Sequence, residues 1–182
     1  MAVFTEKSTL ISNRDATPKV FTDNLVSGGD MKESEGYITT GSAADSVGSI
    51  YRLCTVPSRA RVSQVLMSCT ALGAGGAIEV GVYWPDYSPF PIGPFGVHPL
   101  PGDPGTAIDA NLFASALSVA AAQSMVDITD QSGNNTIQLQ EMSLWQAAGL
   151  AADPGIDLDI CAQVTTVLAA AGQLALKVRF QS

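Results

Sequence analysis

His98, the single histidine, stands between Asp86 and Asp103, and these three side chains are the first place where chemistry could be built. An imidazole flanked by carboxylates can relay a proton or supply most of a divalent metal shell. Here the three are strung along eighteen residues of proline-rich loop, and nothing in that spacing holds them at ligand distance. His98 therefore reads as a loop residue. Asp153, Asp157 and Asp159 are the second candidate, because alternation along a strand turns Asp157 and Asp159 to one outward face. Calcium takes roughly six to eight oxygens, and the preferred reading of these carboxylates is a solvated sheet face.

Nucleophiles fare no better. Cys54, Cys69 and Cys161 fall in candidate strands, form no C-x-x-C and have no histidine beside them. They read as small buried apolar residues of a reducing compartment. There is no G-x-S-x-G. The GAGG at Gly73–Gly76 lacks the Lys-Ser/Thr of a phosphate loop and sits in a predicted hairpin turn. Asn134-Asn135-Thr136 matches a glycosylation sequon, but no secretory h-region opens the chain and no apolar run reaches membrane-span length. Synthesis in a cytoplasm is expected, with no membrane partner. A net charge of −8 argues against nucleic acid, whose phosphates need a basic face. The expectation is a protein that is not an enzyme and needs no cofactor or metal.

What the chain has instead is contact material. VYWPDYSPFPIGPFGVHPLPGDPG, Val82–Gly105, begins as a strand and then holds seven of the ten prolines, which rules out helix or central strand beyond Trp84. It also carries Trp84, Tyr87, Phe90 and Phe95, side chains of the kind enriched at interface cores. Prolines lower the entropy of a free loop, so ordering it against a partner costs less. Residues 1–36 are polar, with Val3, Phe4, Leu10, Ile11, Val20, Phe21 and Leu25 spaced too loosely for an element of their own. They read as an extended arm reaching on the order of 100 Å at ~3.3 Å per residue, against a radius of gyration of about 15 Å for the remaining globule. Arg61 and Lys177 bracket a stretch with ten Asp and Glu and no cation, so the charges are patchy. The interface residues expected on these grounds are Phe4, Leu10, Val20 and Phe21 of the arm, Trp84, Tyr87, Phe90 and Phe95 of the loop, and Arg59 and Arg61.

The elements that must carry these segments read as β over 37–182. Tyr37–Thr40, Ser49–Val56, Ala60–Cys69 and Ala77–Trp84 are candidate strands, the last with Ile78, Val80, Val82 and Trp84 on one face. Ala107–Ser118 reads as a helix, with Asp109 as cap and Leu112, Phe113 and Leu117 near one face. Ser118–Asp127 could be a strand or an irregular edge, and Ile137 with Leu139 could form a strand face. Gln140–Ala148 reads as a short helix stopped by Gly149, with Met142, Trp145 and Leu150 as candidates to dock it on the sheets. Two strongly alternating segments, Ile156–Thr165 and Leu174–Phe180, flank the AAAG at Ala169–Gly172 and are expected to pair as a hairpin, with Lys177 and Arg179 sharing a face with either Asp157 and Asp159 or their neighbours. Such a pattern suggests an all-β antiparallel sandwich with two short helices and a loop at 84–106, jelly-roll-like as the first choice and a less regular β-sandwich as the second.

IYRLCTVPSRARVSQVLMSCTALGAGGAIEVGVYWP at Ile50–Pro85 resembles a group of small tailed-bacteriophage virion proteins. NLFASALSVAAA at Asn111–Ala122, LWQAAGLAADPGIDLDICAQVTTVLAAAGQLALKVRF at Leu144–Phe180 and the polar N-terminal arm look similar too. The resemblance implies a capsid decoration (cement) protein on the virion surface, with the major capsid protein and further copies of itself, as dimer or trimer, as partners. It brings no catalytic residues. It also implies a short connection after the third strand, from which Trp84–Gly105 departs. Two other readings stand beside it: a carbohydrate- or host-surface-binding module displayed on the virion, with the loop aromatics as stacking platforms, and a tail or connector component.

Overall fold

In the segment Leu158–Val164, every second side chain is fully buried, and in Leu174–Phe180 every second one is almost so. Those two rows of apolar residues are the two walls of one core. The computed structural model describes residues 12, 16–18, 20, 30–40, 45–86 and 105–182. The chain divides into two units, residues 1–30 and 31–182, and the described elements belong to the second.

Eight strands follow in chain order: β1 (Met31–Thr39), β2 (Ile50–Pro57), β3 (Arg61–Cys69), β4 (Ala77–Tyr83), β5 (Ala107–Ser118), β6 (Gln123–Asp127), β7 (Asp157–Thr166) and β8 (Gln173–Gln181). Two four-residue helices, α1 (Ile137–Gln140) and α2 (Leu144–Ala147), lie between β6 and β7. The strands form two antiparallel sheets, β1-β8-β3-β6 and β2-β7-β4-β5. This is the strand order of an eight-stranded jelly roll, as expected from the sequence. One sheet contributes Val62, Met67, Leu174, Leu176 and Val178 to the core, the other Val56, Ile78, Val80, Val82, Leu158 and Ile160.

The expected hairpin of the last two long strands is corrected. β7 pairs with β2 and β4, and β8 pairs with β1 and β3, so they face each other across the core. Alternation reports which side of a strand is apolar, not which strand lies beside it. The Ala169–Gly172 segment crosses between sheets, tied by Ala170 N–H to Leu72 O at 3.1 Å and by Thr40 N–H to Gly172 O at 2.9 Å. The same logic corrects the GAGG hairpin: β3 and β4 also belong to opposite sheets. Among the described strands, β4 and β5 are the consecutive pair that are ladder neighbours, and the 84–106 loop connects them.

Ala107–Ser118 is a strand, not a helix. Its ladder with β4 shifts register three times, and Ala116 sits at φ 49°. Those bulges break period two and let Leu112, Phe113 and Ala114 be buried in succession. Ile137 and Leu139 lie in α1 rather than in a strand. α2 is docked by Leu144 and Ala148, while Met142 stays 42% exposed. Gly149 follows at φ 75°, as a left-handed stop should. β1 begins at Met31, so residues 31–36 are sheet rather than arm. Lys32, Glu33, Ser34 and Glu35 hide it, because an edge strand with charged residues shows little apolar alternation.

Two glycines allow close backbone approach. A Cβ on Gly36 would lie 1.7 Å from Leu53 O, where β1 packs over β2. A Cβ on Gly81 would lie 2.0 Å from Asp109 O, in the bulged β4–β5 ladder.

Candidate functional site

The sequence-predicted contact residues are dispersed by the fold. Phe4, Leu10, Phe21, Tyr87, Phe90 and Phe95 lie outside the described residues, as do His98 and Asp103. Val20 is 52% exposed. Trp84 is 4% exposed and part of the core cluster, so it is removed from the surface where a stacking or contact role placed it. Alternation already put it on the face of Ile78, Val80 and Val82.

Arg59 lies in the turn before β3 and Arg61 opens that strand. Arg59, 80% exposed, pairs with Asp153. Asp153 Oδ1 also accepts from Ser58 Oγ at 2.6 Å and from the Gly155 N–H at 2.8 Å. Arg61 Nη2 donates to Gln140 O at 3.4 Å, reaching α1. The Leu144 and Trp145 N–H groups donate to Ala60 O and Ser58 O at 2.8 and 3.0 Å, so the same turn anchors α2. This corner is a structural joint.

The Ser58 hydroxyl, with Arg59 and the Gly155 amide, holds the Asp153 carboxyl below its usual range. For Asp127, burial pushes upward but the bonds from Gln64 and Thr129 outweigh it. A carboxylate with a depressed folded pKa contributes stability that is full above its unfolded value and is lost as pH falls through the folded one. Stability should therefore decline below about pH 4. Asp153→Asn should cost about 1–2 kcal/mol at neutral pH, mostly from the Ser58 and Gly155 bonds, since an exposed Arg59 adds little. It should also flatten part of the acid slope, read from urea midpoints between about pH 6 and pH 3. An unchanged slope would contradict this role.

The acidic trio considered as a cation site is divided by the fold. Asp157 and Asp159 do face outward together, but Asp159 pairs with Arg52 and Asp153 with Arg59. Among the described residues no group of three or more His, Cys, Asp or Glu is placed to hold a metal ion. The cysteines are free and buried, in strands as expected. Burial pushes the Cys54 thiol up to about 11 and the Cys161 thiol up to about 12, which keeps both protonated and inert.

Across the outer face of the β1-β8-β3-β6 sheet runs a polar row. Lys177 Nζ lies 2.7 Å from Glu35 and 3.4 Å from Glu33, and Arg179 Nε lies 2.7 Å from Glu33. Arg179 Nη1 donates to Gln64 at 3.0 Å, and Gln64 Nε2 donates to Asp127 at 2.9 Å. Lys177 and Arg179 thus find β1 carboxylates, not Asp157 and Asp159. The row spans four strands and pins register more than it adds stability. Next to it is a shallow groove of about 200 Å³ lined by Tyr37, Leu66, Ser68, Met125 and Ala175, with Glu35 and Lys177 of the polar row also in its lining. Tyr37 is 74% and Met125 48% exposed.

The neck of the 84–106 loop is a second predicted contact region with built geometry. Trp84 N–H donates to Thr106 O at 2.9 Å and Gly105 N–H to Pro85 O at 3.1 Å. Arg52 of β2 crosses to it, donating to Trp84 O and Gly105 O, both at 3.0 Å. Beside it, the Tyr83 hydroxyl donates to Gln163 Oε1 at 2.7 Å. Sequence reasoning missed Arg52. The signal was a lone cation in the apolar strand SIYRLCTV.

No family model matches the chain, and no curated protein matches it. Among solved structures, a chain described as the capsid of Ralstonia phage GP4 is 16% identical, with a TM-score of 0.51 covering 85% of this chain and 85% of that one. A chain of the cyanophage Pam1 capsid asymmetric unit is 18% identical, with a TM-score of 0.49 covering 84% and 85% respectively. At 16% identity the likeness to the Ralstonia phage GP4 capsid chain is one of fold alone.

Proposed function

We propose that this chain is a structural protein of a tailed-phage virion that binds the outside of the capsid and stabilises it, as a decoration or cement protein. The observation that carries the reading is the eight-stranded sandwich, alike in fold to the Ralstonia phage GP4 capsid chain over 85% of both chains. Jelly rolls serve both capsid and lectin domains. The lectin-like reading loses support because Trp84, its largest stacking platform, is a core residue.

The mechanism is burial of contact surface, not catalysis. Apolar area leaves water at about 25 cal/mol per Å², repeated over many symmetric copies. The contacts proposed are the arm, through Phe4, Leu10, Val20 and Phe21, and the loop, through Tyr87, Phe90 and Phe95. The partners are the major capsid protein and further copies of this chain, which is made in the host cytoplasm before joining the particle.

The test is co-sedimentation with capsids that lack the protein. Binding with a raised temperature of particle disruption supports the reading, and absence of binding sinks it. Truncations of the arm must stop before Met31, because β1 starts there. Deleting residues 1–29 or replacing residues 87–104 with a short Gly-Ser turn should weaken binding while leaving the sandwich folded.

A further inference from the structure

We propose that Arg52 is the positioning residue of the 84–106 loop, clamping the two ends of its neck together so that the loop is presented from a fixed base. The loop's use in partner contact rests on the function proposed above; the clamp itself rests on geometry. In the sheet order β2-β7-β4-β5, Arg52 lies on the edge strand, one strand away from β4. Its guanidinium crosses the β7 residue Asp159, meeting Oδ2 at 2.5 Å, and reaches both ends of the neck. Nη1 donates to Trp84 O on the outgoing side and Nη2 to Gly105 O on the returning side, each at 3.0 Å. Nε lies 3.8 Å from the Asp86 carboxylate, one more residue of the outgoing side.

A planar fork spreads fixed donors over separate nitrogens, so it reaches carbonyls on both sides of the neck and a carboxylate at once, which the single nitrogen of a lysine does not. The need for such a clamp is local. The ladder shifts register between Val82 and Tyr83 just before the neck, so the last backbone pairs continue an irregular edge. The Arg52 side chain is 26% exposed and that of Asp159 18%, which shields the bonds from competing water. Asp159 is desolvated enough that burial lifts its carboxyl above the usual value against the pull of Arg52. Removing the cation alone would therefore strand a partly buried charge, and the variants must separate that cost from loss of the fork.

Arg52→Lys keeps a charge beside Asp159 but cannot bridge both carbonyls. The double variant Arg52→Gln with Asp159→Asn removes both charges. Hydrogen exchange in the free full-length protein reads the clamp directly. The Trp84 and Gly105 amides should exchange at least about tenfold faster in both variants, with the β7 and β8 core amides unchanged. Unchanged exchange at the neck overturns the clamp, whatever happens to binding. Co-sedimentation with capsids lacking the protein then reads its use. Faster neck exchange with weaker binding upholds the proposal. Faster exchange with wild-type binding overturns the positioning role. If the variant with residues 87–104 replaced also binds like wild type, the failure lies instead in the loop's part of the proposed function.

Discussion

Gly36→Ala is expected to cost ~3 kcal/mol or more and to leave little folded protein. The added Cβ would meet Leu53 O at 1.7 Å and Leu53 C at 2.7 Å. Those are backbone atoms of β2, so no side-chain rotation relieves the clash. Either β1 leaves β8 or β2 leaves β7, and both moves open the core. The next residue gives the internal comparison. Tyr37 is 74% exposed, and Tyr37→Ala should change stability by no more than about 0.5 kcal/mol. Urea midpoints of the two variants read this directly. A Gly36→Ala midpoint equal to that of Tyr37→Ala would contradict the close packing of β1 on β2.

Phe113→Ala should lower stability by about 3–5 kcal/mol. Phe113 is 1% exposed and stands between buried Leu112 and Ala114 in β5. The ring is among the largest fully buried side chains, and the walls that would have to collapse into its space are strands held by ladders on both sheets. A rigid frame relaxes little, so the cost should fall in the upper part of that range. Because the neighbouring Asn111 is only partly buried, Asn111→Ala should cost under about 1.5 kcal/mol. Denaturant unfolding of both proteins provides the check. A loss under about 1 kcal/mol for Phe113→Ala would mean that this segment does not pack as β5 does here.

β7 and β8 show where the sequence was legible, and β5 shows where it was not. Period two in Ile156–Thr165 and Leu174–Phe180 identified which side chains enter the core, and Leu158, Ile160, Val164, Leu174 and Val178 are all fully buried. It could not name their neighbours, because in a jelly roll most consecutive strands cross to the opposite sheet. The ionic partners show the same limit. Lys177 and Arg179 meet Glu33 and Glu35 across more than 140 residues of chain, and Arg52 meets Asp159 across 107. In β5 the failure was of another kind. Bulges and the left-handed Ala116 erased the alternation, and what remained mimicked a helical face. Trp84 was misassigned against a signal already present, since its parity matched Ile78, Val80 and Val82. Composition alone made the aromatic look like contact surface.

The loop neck connects these lessons to function. Proline content marked the 84–106 segment as a loop. The register of β4 and β5 makes it the link between two paired strands, and Arg52 adds a side-chain tie at its base. A loop with a tied neck suits a surface that must meet the same partner many times over in one particle, which is the role proposed for it.

Cryo-electron microscopy of the particle that contains this protein tests that role most directly. The account predicts eight-stranded jelly-roll density on the outer surface of the shell, touching the major capsid protein, with the 84–106 loop against a neighbour. Density for the chain confined to the tail or connector, or a shell without it, would contradict the account.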